Sequence, residues 1–308
     1  MREEILGRLK KSPQLAAVDA DFEHLLSSWF NPGFLRLEKI DWNSPAHLLE
    51  KIIQHEAVHA IDGWADLRRR LEQDRRLFAY FHPALPDEPL IFVEVALVPD
   101  MPAAIGPLLD RKATPDSDRK NYKVATFYSI SNCQPGLKGI HLGNFLIKRV
   151  AEYLKAEFPS LKTFCTLSPI PTLASFLSSR HPFERTPFSP KQSVELQALR
   201  EEVRGLLASG AEHSESTLAS IQKLCAAYLL QTSPDEQIAS DPVARFHLNN
   251  GARLERINVN ADPSAKGGRQ SFGLMVNYAY DLGDIETNHE RFVAGEVIAS
   301  RQVKNLIS

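Results

Sequence analysis

Cysteine is scarce in this chain. Three occur in 308 residues, Cys133, Cys165 and Cys225, too scattered for a disulfide framework or a zinc knuckle. A reducing compartment is the expectation. No segment reaches the roughly 18 apolar residues of a membrane span; the best, Leu90 to Val98, is broken by Glu94 and stops at Pro99-Asp100. The N-terminus, Met1-Arg-Glu-Glu-Ile-Leu-Gly-Arg8, lacks the apolar core of a signal peptide, and Asn305-Leu-Ile-Ser308 is no peroxisomal address. A soluble, cytoplasmic protein is therefore expected. Neither sign of charge dominates: 36 Lys and Arg face 38 Asp and Glu, for a net charge of -2. That balance excludes a generally basic nucleic-acid binder and leaves room only for a local basic pocket. The glycine fingerprints of nucleotide-binding folds, G-x-G-x-x-G and G-x-x-x-x-G-K-[ST], are absent, as are internal repeats.

What is present is an ordinary globular composition, with 43% hydrophobic and 24% charged residues. The length suits one large domain or two modest ones. Helices are expected over Arg2–Lys11 and Asp21–Phe30, with a break at Ser12-Pro13. Strict alternation from Phe34 to Trp42 predicts a half-buried strand. Ser44-Pro45 then caps a helix expected to run to Ile61, and a charged helix follows over Ala65–Arg75. Strand signals cover Leu77–Phe81, Leu90–Val98 and Lys123–Ser131. The amphipathic helix Leu142–Phe158 and the strand Thr163–Leu167 come next, before the turn Ser168-Pro-Ile-Pro171. Helices at Ser193–Ala208 and Ser214–Leu230, strands at Arg253–Asn258 and Gly273–Tyr280, and a mostly helical Ile285–Asn305 complete the chain. This order predicts an α+β fold with a mixed sheet.

Three constellations could carry chemistry. His55-Glu-Ala-Val-His59 is an H-E-x-x-H pattern on an expected helix, where both imidazoles would share a face and Glu56 would be the base. A third ligand is missing: Asp62 and Ala65 stand where a metzincin needs Gly and His, and Glu72 lies on an arginine-rich face. A solvated or capping role competes with the zinc reading. Second, Gly136, Gly139 and Gly143 lie between a strand and a helix, which suits either an anion site of backbone N–H groups or a plain tight turn. Third, Ser168 ends a strand and His247 precedes Asn249-Asn-Gly251 in an apolar segment. Taken singly, a serine before proline reads as a turn cap and a lone histidine as structural.

Longer blocks change the weighting. Phe127-Tyr-Ser-Ile-Ser131, Gly136-Leu-Lys-Gly-Ile-His-Leu-Gly143 followed by Asn144-Phe-Leu-Ile-Lys-Arg149, and Leu167-Ser-Pro-Ile-Pro171 resemble the malonyl-CoA decarboxylase family. So do Asp241-Pro-Val-Ala-Arg-Phe-His-Leu-Asn-Asn-Gly-Ala252 and Gly273-Leu-Met-Val-Asn-Tyr278, and the resemblance runs in order from about Trp29 to the C-terminus. It implies an α+β, GCN5-related N-acetyltransferase-like mixed sheet flanked by helices. It also implies that residues 1–30 are a remnant of an N-terminal helical domain and 31–308 the catalytic acyl-CoA decarboxylase domain. By the same resemblance Ser168 and His247 are the catalytic pair. The acyl-CoA loop maps onto Lys138, Gly139, Ile140, His141, Leu142, Gly143 and Asn144, with Tyr278 a further substrate-side candidate or a core aromatic. The loop keeps only part of the acetyltransferase pattern: Gly139 fits its middle glycine, while Gly136 and His141 occupy the flanks. Val259-Asn260 replaces a bulkier apolar pair.

The implied chemistry needs no metal, biotin or pyridoxal, because loss of CO2 from a malonyl thioester leaves an enolate held by the thioester carbonyl itself. A hydroxyl could polarise that oxygen, and a histidine titrating near the working pH could protonate the carbanion. Malonyl-CoA and acetyl-CoA are the expected partners, with a homo-oligomer left open and no nucleic acid or membrane surface. An acyl-CoA-dependent N-acyltransferase and a catalytically silent acyl-CoA-binding module are the alternatives.

Overall fold

Proline, glycine and capping side chains set the element ends, and apolar runs set which elements are covered on both faces. The computed structural model describes residues 1–9, 11–30, 32–137, 139–140, 146–179, 183, 188–208, 214–235 and 240–308. The first half of the chain carries α1 (Arg2–Arg8), α2 (Ala16–Trp29), β1 (Arg36–Ile40), α3 (Ala46–His55), α4 (Gly63–Arg70), β2 (Arg75–His82), β3 (Leu85–Val98), α5 (Gly106–Leu109), β4 (Val124–Asn132) and α6 (Leu146–Glu157). There follow β5 (Thr163–Thr166), β6 (Ser168–Pro169), α7 (Leu173–Ser178), α8 (Pro190–Ala208), α9 (Glu215–Leu230) and α10 (Pro242–Asn249). The chain closes with β7 (Arg253–Asn258), α11 (Ala265–Ser271), β8 (Met275–Tyr280), α12 (Ile285–Val293) and α13 (Arg301–Asn305). The class is α+β, as expected. Among the described residues no helix is long and apolar enough to cross a membrane.

The elements divide into two compact units, Met1–Pro99 with Leu109–Lys162, and Asp100–Leu108 with Thr163–Ser308. In the first, β1 to β4 form an antiparallel meander in which Lys39 pairs Phe78, Phe78 pairs Val93 and Val93 pairs Ile130. Leu77–Phe81 and Leu90–Val95 are buried throughout. Such strands read as continuous apolar runs because neither face meets water. Leu48, Leu49 and Ile52 of α3 pack into one cluster with Leu77, Phe81 and Phe92 of the sheet.

Several ends fall elsewhere than the sequence predicts: α1 stops at Arg8 and α4 spans Gly63–Arg70 in place of Ala65–Arg75. Helix α2 begins at Ala16, directly after a tight turn at Pro13–Leu15. Helix α3 stops at His55 instead of Ile61, because Glu56 folds back to accept the Val58 and His59 N–H groups at 2.8 Å each. Beyond it, Arg70 donates to Glu94 at 2.6 Å and to the His59 carbonyl at 2.9 Å, while Arg69 grips Asp74 with both terminal nitrogens at 2.7 and 3.0 Å.

In the second unit β8 is central. It pairs antiparallel with β7 on one side and with β5 and β6 on the other. The segment expected to be mostly helical, Ile285–Asn305, holds two helices, α12 and α13, with Gly295 at φ +90° between them. Helix α10 was not anticipated. Its signal is Asp241-Pro242, a cap followed by a first-turn proline.

Glu94 gives the first unit a pH signature. Burial, opposed by the Arg70 charge and reinforced by Glu56, raises its carboxyl to about 7. An unfolded glutamate ionises near about 4.3, so between these values the folded chain holds a proton the unfolded chain has lost, and stability falls as pH rises. Glu94→Gln removes that slope. Denaturant titrations at pH 5, 6 and 7.5 should show the variant gaining on the wild type as pH rises, whatever its offset at pH 5. A constant difference would assign the slope to other groups.

Candidate active site

The site begins with an opening in a sheet. Cys165 pairs Ala279 and Ser168 pairs Val276, so β5 and β6 keep one register against β8 and are interrupted only between them. Side chains fill the gap. Thr166 Oγ1 accepts the Tyr278 N–H at 3.2 Å, and Asn277 Nδ2 donates to the Thr166 carbonyl at 2.8 Å. The prolines at 169 and 171 bring no N–H to a ladder and hold Ser168 extended, which is why regular pairing ends here. Strand periodicity then places Thr166 and Ser168 on one face, and Tyr278 and Tyr280 likewise.

Helix α10 brings the partner. Asp241 caps it, accepting the Val243 and Ala244 N–H groups at 2.9 and 3.1 Å, and Ala244, His247 and Leu248 form its buried face. Gly251, at φ +76°, ends the segment where any Cβ would sit 2.1 Å from the Ile285 carbonyl oxygen. His247 is 3% exposed. Its Nε2 lies 3.0 Å from Ser168 Oγ, its Nδ1 lies 2.9 Å from the Tyr280 hydroxyl, and its ring stacks on Tyr278 at 4.7 Å.

These contacts have a direction. Ser168 donates its one hydrogen to Thr166 Oγ1 at 2.9 Å. Ser168 Oγ is then the acceptor toward His247, so Nε2 carries the imidazole proton and Nδ1 accepts from Tyr280. Burial lowers the His247 pKa to about 3, which keeps the ring neutral, as a single ring proton requires. The expectation of a histidine titrating near the working pH is thus corrected: desolvation of the charged form prevails. Burial likewise holds the Tyr278 and Tyr280 hydroxyls well above their ordinary range. The hydrogens run from Tyr280 through His247 and Ser168 to Thr166.

Ser168, His247 and Tyr278, proposed from sequence, are therefore brought together, Tyr278 through its ring face. Thr166 and Tyr280 were missed. Each sits two residues along a strand from a candidate, a spacing that could have suggested both.

The remaining candidates belong to the first unit. Of the proposed acyl-CoA loop, Lys138, His141, Leu142, Gly143 and Asn144 lie outside the described residues. Gly139, at φ +84°, needs glycine for its backbone alone, and the Leu137 and Ile140 amides are spent on Gln134 and Leu137 carbonyls at 2.8 and 3.0 Å. For the described part of the loop, the tight-turn reading accounts for the glycine. Arg2 of α1 reaches it, donating to the Gly136 carbonyl at 3.0 Å. The H-E-x-x-H pattern does not form a helical face, since His55 ends α3 and Glu56 is buried against Ser129 and Ser131 at 2.7 and 3.1 Å. Among the described residues no group of three His, Cys, Asp or Glu could hold a metal ion.

Fold and site together define an α+β protein with a buried, neutral serine–histidine centre on the central strand of its second unit. The family model for the malonyl-CoA decarboxylase C-terminal domain matches residues 33–308, and that for the N-terminal domain matches residues 1–30. The chain belongs to the malonyl-CoA decarboxylase family, as its sequence blocks imply. It is 37% identical to mitochondrial malonyl-CoA decarboxylase of Mus musculus over 98% of this chain and 65% of that protein. It therefore spans slightly under two thirds of that relative. The crystal structure of malonyl-CoA decarboxylase from Rhodopseudomonas palustris superposes with a TM-score of 0.83 at 48% identity, covering 99% of this chain and 74% of that one. The structure from Agrobacterium vitis gives 0.82 at 48% identity, with 100% of this chain and 74% of that one covered.

The tautomer is directly measurable. Nitrogen-15 spectra of the full chain should show His247 neutral, protonated at Nε2, and not titrating between pH 8 and 5. A midpoint near the ordinary histidine value of about 6.5 would contradict this reading.

Proposed function

We infer that the chain catalyses decarboxylation of malonyl-CoA to acetyl-CoA and CO2, with the reaction centred on Ser168 and His247. One observation carries the reading: Ser168 lies 3.0 Å from His247 Nε2 with its own hydrogen donated to Thr166, from which it follows that the imidazole presents an N–H to the serine. In the proposed step the bond between the malonyl α-carbon and its carboxylate breaks and CO2 leaves. The electron pair passes into the thioester carbonyl, and a new C–H bond forms at the α-carbon. The Ser168 hydroxyl, turned from Thr166 toward the substrate, would stabilise the enolate oxygen as an oxyanion donor. His247 Nε2–H would supply the proton and take one from solvent in its place, while the Tyr280 hydroxyl keeps its hydrogen directed at Nδ1. One proton from solvent restores the chain at each turnover.

The family resemblance assigns Lys138 to Asn144 to acyl-CoA binding, and that role is part of the proposal. A transfer of the acyl group to an amine is less well served. It needs a base to take the ammonium proton, whereas both nitrogens of His247 are engaged and its pKa lies at about 3.

The test is incubation of purified protein with malonyl-CoA and no amine, following CO2 and acetyl-CoA. Ser168→Ala should lower turnover about 100-fold or more, as loss of an oxyanion donor does. His247→Ala should cost roughly 100- to 10,000-fold, and the double variant should be little worse than the worse single one. Melting curves run beside the kinetics separate lost chemistry from lost packing. Either folded single variant retaining near-normal turnover would remove that residue from the mechanism. Absence of CO2 release by the wild type would overturn the reading.

A further inference from the structure

The serine and the histidine arrive on segments 79 residues apart in sequence, so their 3.0 Å approach must be held by something. The contact between those segments runs through Asp241. Its Oδ1 caps α10 through Val243 and Ala244, and its Oδ2 accepts from the Thr172 hydroxyl at 2.6 Å and the Thr172 N–H at 3.2 Å. Thr172 stands four residues after Ser168, across two prolines that stiffen the intervening chain. His247 stands six residues after Asp241 on the helix that Asp241 caps. With its hydrogen committed to Asp241, Thr172 Oγ1 accepts from the Tyr228 hydroxyl of α9 at 2.8 Å. The carboxylate is fully buried, and the four donors on it are two hydrogen-bonded amides of α10, one amide of the Thr172 turn and one hydroxyl.

We propose that Asp241, through Thr172, is a positioning residue that sets the distance between Ser168 and His247. Each carboxylate oxygen serves one of the two segments. A cap alone would need only Oδ1; the second oxygen, spent on the serine's segment, is what turns a cap into a clamp. Rigid support of this kind matters because a displacement of about 1 Å in a reacting group can cost about 100-fold in rate. The inference rests on the proposed reaction for its kinetic readout but not for its geometry.

Three variants of the full chain separate clamp from cap. Asp241→Asn keeps an oxygen for the Val243 and Ala244 amides and turns an NH2 toward the Thr172 donors. Thr172→Val deletes the hydroxyl at nearly constant volume, and Thr172→Ser restores it. Thr172→Val and Asp241→Asn should lower kcat about tenfold or more with KM within about twofold, since reacting geometry and not substrate binding is disturbed. Thr172→Ser should recover most of kcat. The His247 Nε2–H proton resonance, which reports the bond to Ser168, should shift in Thr172→Val and return in Thr172→Ser. The proposal is overturned if Thr172→Val, at the wild-type folded fraction, keeps both kcat and that resonance. If the wild type itself releases no CO2, the reaction assignment fails and the resonance alone decides the clamp: a shift supports it, constancy overturns it.

Discussion

A desolvated imidazole with both nitrogens occupied is the constraint on which the second unit is built. Burial makes the charged ring too costly, so His247 has one donor and one acceptor and needs one partner of each kind. Leaving either unmatched would cost about 1–3 kcal/mol. The Tyr280 hydroxyl satisfies the acceptor, and Ser168 Oγ satisfies the donor. Serine's own hydrogen then requires an acceptor in turn, which Thr166 Oγ1 provides. The opening between β5 and β6 follows from the same requirement. Thr166 can serve the serine because its side chain, with that of Asn277, stands in for the missing backbone pairing. One desolvation energy thereby orders four side chains, and a sheet irregularity that keeps its register has a cause.

The first unit meets burial differently. It retains charged groups and pairs them: Arg69 with Asp74, Arg70 with Asp66 and Glu94, Arg76 with Glu157. Within this lattice the H-E-x-x-H residues have a structural occupation. Glu56 ends a helix, caps the following turn and receives two serine hydroxyls from β4. A carboxylate already holding four hydrogen bonds has little capacity left as a general base. The zinc-like spacing is real in sequence but never becomes a shared helical face, because the helix it needs stops at its first histidine.

This contrast shows what could be read from the residues. Strands such as Leu90–Val98 were legible because β-branched and aromatic residues crowd a short run that a single acidic residue, Glu94, interrupts. The turn after β5 was legible because it holds two prolines. The end of α3 was not, since the Glu56 carboxylate that caps Val58 and His59 is also held by Ser129 and Ser131, more than seventy residues away. Tyr280 was hidden for a related reason: strand period pairs it with Tyr278, but only the register of β8 against α10's position shows which aromatic offers a hydroxyl and which a ring face. The family blocks located the serine and the histidine. They did not supply the direction of the hydrogens between them, which belongs to tertiary geometry.

That direction bears on which reactions the centre can favour. In a serine hydrolase the imidazole accepts the serine proton, and the nucleophile is made by that transfer. Here the transfer is blocked twice, because Nε2 already bears hydrogen and the serine hydrogen points away toward Thr166. A centre so arranged is poor at making a nucleophile and well suited to meeting a substrate that develops negative charge. Its groups are desolvated before the charge appears, and the reorganisation that meeting it requires is the turn of the serine hydroxyl away from Thr166. An enolate formed by loss of CO2 is such a charge, and it needs one hydrogen bond at oxygen and one proton at carbon. In the proposed reaction Ser168 and His247 would supply one of each. Tyr280, donating to the far nitrogen, holds the ring in the tautomer whose hydrogen faces the serine.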